Sequence, residues 1–409
     1  MKACGFLAAG IAMLLGSGGA TAAPLAQSYC DAIARAADAD APASGPIFVA
    51  SYGALPGAAP IPAPLRTSAF SYDNALAAIA LIACGDAPRA IRIADAFVAA
   101  SARDRSFADG RIRNAYMAGA VAGGPVKLAG WWDSAANRWD EDAYQDGTAT
   151  GNVAWATLAL LNVHAATGRS DYLKAASRLL AWIAARASDG PGPTGFSGGM
   201  TGFDGAQRAE TWKSTEHNLD VAAAAHWANS LTHDPAEAAI SEKASAFVAT
   251  RFQREAGYFL LGTKAGGADA DKTALALDVQ VWPVLAIPEA PPEYRRAVAF
   301  ALAHLRNGEG MTFAGIGPNA WSEGTAQTAL ALRAIGEEAT ADALMAALAA
   351  HVSPSGLLFA TSAGEVDTGL AIEGGSEAFK YFHWPHLGAT AWAALAQRRW
   401  NPFTGRRLP

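Results

Sequence analysis

Two kinds of helical segment alternate along the chain. One kind is apolar on nearly every side and opens on polar or acidic residues: Tyr72 to Cys84, Thr150 to Thr167, Thr215 to Leu231, Thr273 to Ile287, Ser322 to Ile335, and Pro385 to Trp400. The other keeps its apolar residues on one stripe, as a solvent-facing helix does: Ala87 to Ala102, Asp171 to Ala187, Pro235 to Phe252, Pro291 to Arg306, and Glu338 to Val352. Ala26 to Ala37 supplies a sixth of this kind. Gly85, Gly168 and Gly336 follow three of the apolar segments and predict C-terminal caps before short turns.

Short connections make the two helices of each pair antiparallel neighbours. Six buried helices then run one way and six outer helices the other, which predicts an all-α fold, an (α/α)6 toroid. An open solenoid of the same hairpins is the alternative, because periodicity does not show closure. The N-terminal helix fills the outer position beside the last inner helix or the first. The long connections, Arg103 to Ala149 and Ser188 to Ser214, precede inner helices, so they gather on one face with small β-hairpins such as Gly257 to Leu261 and Gly356 to Ala360.

Composition narrows the partners. The formal net charge of −6, with no Lys/Arg cluster, excludes the electrostatic footprint of a nucleic-acid or anionic-membrane binder and suits a neutral or weakly charged ligand. Lys2, the apolar run Phe6 to Leu15 and Ala20-Thr21-Ala22 read as a secretory signal over residues 1–22. That run is too short to span a bilayer, which needs ~20 residues. The expected mature protein, residues 23–409, is one periplasmic or secreted domain, monomeric and not inserted in a membrane. Cys4 lacks the context of a lipid-attachment cysteine. Cys30 and Cys84 remain as a candidate disulfide near the short-turn end, with two buried thiols as the other reading.

Every inner helix starts on the loop face, so acids at those starts converge: Asp73, Asp146, Glu216, Asp220, Asp278, Glu323, Glu373 and Glu377. Carboxylates also favour helix N-termini for capping alone. Here they share short stretches with aromatics, among them Trp131, Trp132, Trp139, Tyr144, Trp212, Trp321, Phe379, Tyr381, Phe382 and Trp384. Sugar rings stack apolar faces on aromatic planes while their hydroxyls take amide and carboxylate partners. Glu216 and Asp220, four residues apart on one helix face, are placed so that like charge raises one pKa, which makes Glu216 the candidate general acid. Glu323 and Asp146 are the candidate partner carboxylates. Asp73, Asn152, Trp212, His217, Asp220, Asp278, Trp282, Trp321, Glu377, Tyr381 and His386 are the substrate-binding candidates. Carboxylates facing across a ring cavity suit the ~6.5–9.5 Å spacing of an inverting glycosidase better than the ~5 Å of a retaining one.

No metal and no cofactor is expected. His383 and His386 lack a third ligand, Asp269-Ala270-Asp271 lacks the pattern of a calcium loop, and neither a phosphate-binding loop nor a nucleophile elbow is present.

The segments Ser71 to Leu76, Thr150 to Trp155, Thr215 to Asp220, Glu323 to Gln327 and Ala389 to Trp392, with terminal Asn401-Pro402-Phe403, resemble motifs of the six-hairpin glycosidase superfamily of secreted bacterial toroids. The resemblance spans nearly the whole mature chain. It implies the (α/α)6 fold and a glycoside hydrolase acting on a bacterial or environmental polysaccharide or oligosaccharide, with catalytic carboxylates at inner-helix starts. Two other functions compete. A polysaccharide lyase would recruit His217, Tyr72 and Lys213 but wants a cationic cleft, and a non-catalytic glycan-binding or export accessory protein would keep the fold without turnover.

Overall fold

The computed structural model describes residues 22–39, 44–55, 57, 60–188, 190–270, 272, 274–372 and 376–409. The expected signal segment, except for Ala22, lies outside the described residues, as do Asp271 and Glu373. The helices are α1 (Ala22–Ala39), α2 (Ala63–Arg66), α3 (Ser71–Ala83), α4 (Ala87–Ala102), α5 (Thr150–Thr167), α6 (Ser170–Arg186) and α7 (Thr215–Thr232). They continue with α8 (Pro235–Arg251), α9 (Asp278–Val281), α10 (Pro283–Ala286), α11 (Arg295–His304), α12 (Ser322–Ala334), α13 (Glu338–Leu348) and α14 (Leu387–Arg398).

Burial separates the two kinds of helix as the pattern predicts. Every residue of α5 from Thr150 to Val163 is buried, whereas α4 buries only Ala90, Ile93, Ala94, Ala96, Phe97 and Ala100 along one stripe. Each Leu, Ile or Val fully withdrawn from water contributes ~1.5–3 kcal/mol, so the inner helices, apolar all round, hold the centre. The inner helices pack in the order α3, α5, α7, α9/α10, α12, α14, and α14 packs back on α3. That contact closes the ring and removes the open solenoid. Helix α1 lies against both α14 and α3, filling the sixth outer position between the last inner helix and the first.

The fourth inner helix departs from expectation. Thr273 to Ile287 was expected to be continuous, but helix begins only at Asp278 and is interrupted at Trp282. Pro283 has no N–H to give to the preceding turn, so the ladder breaks there. Gly85, Gly168 and Gly336 end their helices in the left-handed region at φ 83°, 72° and 87°, which suits a residue without Cβ.

Strand pairs ring the face where the inner helices start. Ser68–Phe70 pairs with Ala115–Met117 ahead of α3, Thr148–Ala149 with Gly199–Thr201 ahead of α5, and Lys213–Ser214 with Gly262–Thr263 ahead of α7. Glu365–Ala371 pairs with Ala378–Phe382 ahead of α14. At the opposite end the C-terminal turn plugs the axis: Phe403 sits 5.1 Å from Trp155 and 5.6 Å from Trp282, and Asn162 donates to the Pro402 carbonyl at 3.0 Å. Cys30 of α1 and Cys84, which caps α3, are joined as a disulfide with Cα atoms 5.8 Å apart. Among the described residues no helix is long and apolar enough to cross a membrane.

Candidate active site

The inner-helix starts are anchored before they are functional. Asn74 of α3 accepts from the Val49 amide and donates to the Val49 carbonyl, at 2.8 and 3.0 Å. Asn218 of α7 does the same to Phe196, and Gln280 of α9 to Phe259. Thr325 and Thr390 each accept one amide, from Met311 and Leu358. These buried groups satisfy the backbone of the loops crossing each helix start, an obligation that any buried N–H or C=O imposes. The amides that the sequence places among the acids therefore serve mainly as loop clamps. Asn152 is also committed, donating to Asn114 at 2.8 Å.

Glycine then makes room for chemistry. A Cβ on Gly388, in the first turn of α14, would collide with Oδ1 of Asp73 and stand 3.1 Å from Cε1 of His386. A Cβ on Gly151 would lie 2.5 Å from the His217 ring, and one on Gly324 would strike Trp321.

Glu323, in the first turn of α12, is the best-held carboxyl at this face. Its Oε1 accepts from the Tyr72 hydroxyl at 2.6 Å and from Nε2 of Gln327 at 3.1 Å, while its buried Oε2 has no hydrogen bond. Burial pushes its pKa up to about 7; the nearby His386 pulls it down, and Asp73 and Asp278 push the same way as burial. His386 caps α14, its Nδ1 accepting from the Ala389 amide at 3.2 Å, with Nε2 3.3 Å from Asp73 and Nδ1 3.8 Å from Glu323. Burial disfavours its imidazolium, yet the Asp73 and Glu323 charges outweigh burial and raise its pKa. The amide of Ala389 is the contact that favours the neutral ring. Donor atoms of Asp73, Glu323 and His386 lie within 4.8 Å of one another, so these three could converge on a cation.

A second acidic pair faces this one. Asp220, four residues into α7 from Glu216, is fully buried, with neither carboxylate oxygen in a hydrogen bond of normal geometry. Burial, then the charge of Asp278, holds its pKa well above the carboxylate range. Asp278 is pushed to about 7 by burial, against the Val279 amide that donates to it at 2.6 Å. The neighbour that raises Asp220 is thus Asp278 on the adjacent inner helix, rather than Glu216 along the same one. Glu216 is half-buried in the first turn of α7. Tyr381 connects the two walls: its hydroxyl is raised by burial and by the charges of Glu323 and Glu216 among others.

Aromatic rings form the floor and rim. Trp155, Trp282 and Trp392 meet at 5.5 to 5.7 Å, and Trp392 donates its indole N–H to the Tyr72 hydroxyl at 2.8 Å. Tyr381 lies 5.1 Å from Trp321, and Trp212 lies 5.5 Å from His217, whose pKa burial lowers to about 4.

Three candidates are not brought to this cluster. Asp146 is buried in an ionic network, 3.2 Å from Arg105, which also holds Glu141 and Asp204; burial and the Glu141 charge push Asp146 to about 7. Glu377 is exposed at the tip of the Glu365–Ala371/Ala378–Phe382 hairpin. Lys213, the cation of the lyase reading, is buried and donates to the Pro193 carbonyl at 2.6 Å. Nor do His383 and His386 form a pair: His383 stacks on Phe359 at 4.0 Å and bonds the Thr361 carbonyl. The sequence reading missed Gln327, the floor residues Trp155 and Trp392, and Tyr52, which stacks on His386 at 4.7 Å. Gln327 was signalled by its spacing, four residues after Glu323 on one helix face.

Fold and site together define an (α/α)6 toroid with a buried acidic cluster above a core of tryptophans at the inner-helix starts. The chain shares its (α/α)6 toroid fold with solved structures. It superposes on a glycosidase in complex with glucose (TM-score 0.60, 14% identity, 93% of this chain and 98% of that one). It is likewise similar in fold to a sugar epimerase from a ruminal bacterium (TM-score 0.62, 10% identity, 92% and 98%) and to an unsaturated glucuronyl hydrolase specific for heparin (TM-score 0.59, 10% identity, 92% and 96%). By sequence the chain matches no family model and no curated protein.

Proposed function

We propose that the protein is an exported, monomeric glycoside hydrolase that cleaves a polysaccharide or oligosaccharide with inversion, using Glu323 as general acid and Glu216 as general base. The observation that carries this reading is the state of Glu323. One of its oxygens is locked by Tyr72 and Gln327, the other is without a hydrogen bond, and its pKa of about 7 keeps a proton available near neutrality. A carboxyl tuned upward by burial is what protonation of a glycosidic oxygen requires.

The roles follow from position. Oε2 of Glu323 gives its proton to the leaving oxygen as the anomeric C–O bond breaks. Glu216 takes a proton from the water whose oxygen forms the new bond on the opposite face of the sugar ring. Helices α7 and α12 are separated on the ring by α9/α10, and Tyr381 is near both carboxyls, which suits the wider spacing that leaves room for a water. Asp73, Asp278 and His217 serve as hydroxyl partners, and the partly exposed Trp212 and Tyr381 as stacking surfaces, with Trp321 buried behind Tyr381. The names of the neighbours, a glycosidase with glucose and a glucuronyl hydrolase among them, agree with a carbohydrate substrate. The acid-rich cleft disfavours a lyase for anionic glycans.

The test is a panel of neutral and acidic glycans assayed for new reducing ends, with the anomer of the first product followed by NMR. Hydrolysis with inversion, reduced at least ~100-fold in Glu323→Gln, is expected. Products with an ultraviolet-absorbing double bond would assign a lyase, products of unchanged mass an epimerase, and binding without product an accessory protein.

A further inference from the structure

The loop that leads into α5 carries a strand pair which the cleft does not use. Trp131–Asp133 pairs with Arg138–Asp140 so that Trp132 stands directly opposite Trp139. Residues opposite each other in a ladder share a face, so both indoles project from the same side. They remain 58% and 45% exposed. Large side chains left in water are costly and usually mark a surface that binds something. The other exposed aromatic among the described residues, Phe203, belongs to the second long loop of the same face, where Gly202 donates to the Ala143 carbonyl at 3.2 Å.

The hairpin is tied to the cleft at both ends. At its root, Thr67 on the approach to α3 donates to the Gly130 carbonyl at 2.8 Å. Beyond its second strand, Tyr144 lies 6.3 Å from Phe70, the residue that precedes α3. A groove of about 460 Å³ runs beside Trp139, lined also by Arg105, Lys127 and Glu141. That size suits a bound sugar segment, and these side chains offer hydroxyl partners.

We propose that Trp132 and Trp139 form a stacking platform which, with the adjoining groove, holds a glycan chain extending out of the Glu216/Glu323 cleft, so that the preferred ligand is a polymer rather than a short oligosaccharide. A neutral or weakly acidic chain is the class indicated, because indole faces stack on sugar C–H surfaces and the groove carries both charge signs. The inference rests on the carbohydrate reading above but concerns binding, so it is tested by binding.

The experiment is native electrophoresis of the full chain in gels containing barley β-glucan, xylan, dextran or alginate, comparing the parent with Trp132→Ala, Trp139→Ala and Glu323→Gln. Trp139 covers Gly130, whereas Trp132 is the more exposed, so Trp132→Ala is the variant least able to disturb folding. At least one polysaccharide should retard the parent and Glu323→Gln alike, and Trp132→Ala should weaken that binding at least tenfold while leaving any cleavage of short oligosaccharides unchanged. Retardation without hydrolysis would keep the platform and refute the hydrolase. Retardation of neither, or equal retardation of the parent and both tryptophan variants, overturns the platform. Self-association of the parent that is lost in Trp132→Ala, with no effect in any gel, would assign the surface to a protein contact and overturn it too.

Discussion

The Tyr72 hydroxyl stands 2.6 Å from Oε1 of Glu323, joining the first inner helix to the fifth across the mouth of the toroid. It donates to that carboxyl while accepting from the Trp392 indole, so one oxygen links the chemistry to the aromatic floor. This hydrogen bond lowers the Glu323 pKa against the burial that raises it. Tyr72→Phe removes it, so the Glu323 pKa should rise further and the alkaline limb of the pH–rate profile should move to higher pH. The Trp392 N–H also loses its acceptor, at a cost of about 1–3 kcal/mol in stability. A limb that stays in place would show that Glu323 is not the group that titrates in the reaction.

Gly388→Ala tests whether the room at the start of α14 is functional. Ala is the better helix former by ~1 kcal/mol, which offsets part of any strain. The new methyl nevertheless meets Asp73 and His386. Activity should fall at least tenfold with the melting temperature changed by only a few degrees. Full activity with the same melting temperature would show that Asp73 and His386 can shift without consequence.

Much of this site was legible because a toroid converts sequence position into place: an acid in the first turn of any inner helix arrives at the same mouth, as Asp73, Glu216, Asp278 and Glu323 do. Direction was not legible. Asp146 stands before α5 just as Glu323 opens α12, but Arg105, 41 residues earlier in the chain, draws it into an ionic network. That arginine is distant in sequence, so no local pattern marks the pairing. Amides were similarly ambiguous, since Asn74, Asn218 and Gln280 have the chemistry to bind hydroxyls and are used on backbone. Tyr52 lies on a stretch with no helical period to place it, and the interruption at Pro283 went unseen because the apolar run continues through it.

The disulfide ties α1 into the ring. Cys30 and Cys84 are 54 residues apart, and closing a loop of that length in the unfolded chain corresponds to about 4 kcal/mol in the chain-entropy account. Cys30→Ser combined with Cys84→Ser should lower the melting temperature by several degrees, and reductant should do the same to the parent but not to the variant. Equal melting temperatures for parent and variant under oxidising conditions would mean that α1 is held by packing on α3 and α14 alone.

Asp220 gives a pH dependence with a definite sign. Its pKa is far higher in the folded protein than in the unfolded chain, because burial and Asp278 oppose its charge. The folded state therefore keeps a proton that the unfolded state releases, and stability falls as pH rises from about 4 through the folded pKa. Each unit of such a shift corresponds to ~1.4 kcal/mol. Asp220→Asn replaces the carboxyl with a neutral group of similar shape that does not titrate. Its melting temperature relative to the parent should become more favourable between pH 5 and pH 8, with a gain of at least ~1 kcal/mol at the higher pH. Thermal unfolding of both proteins at the two pH values measures this directly. A difference that stays constant with pH would mean that Asp220 ionises in the fold as readily as in the unfolded chain, and that the Asp220–Asp278 pair holds no proton near neutrality.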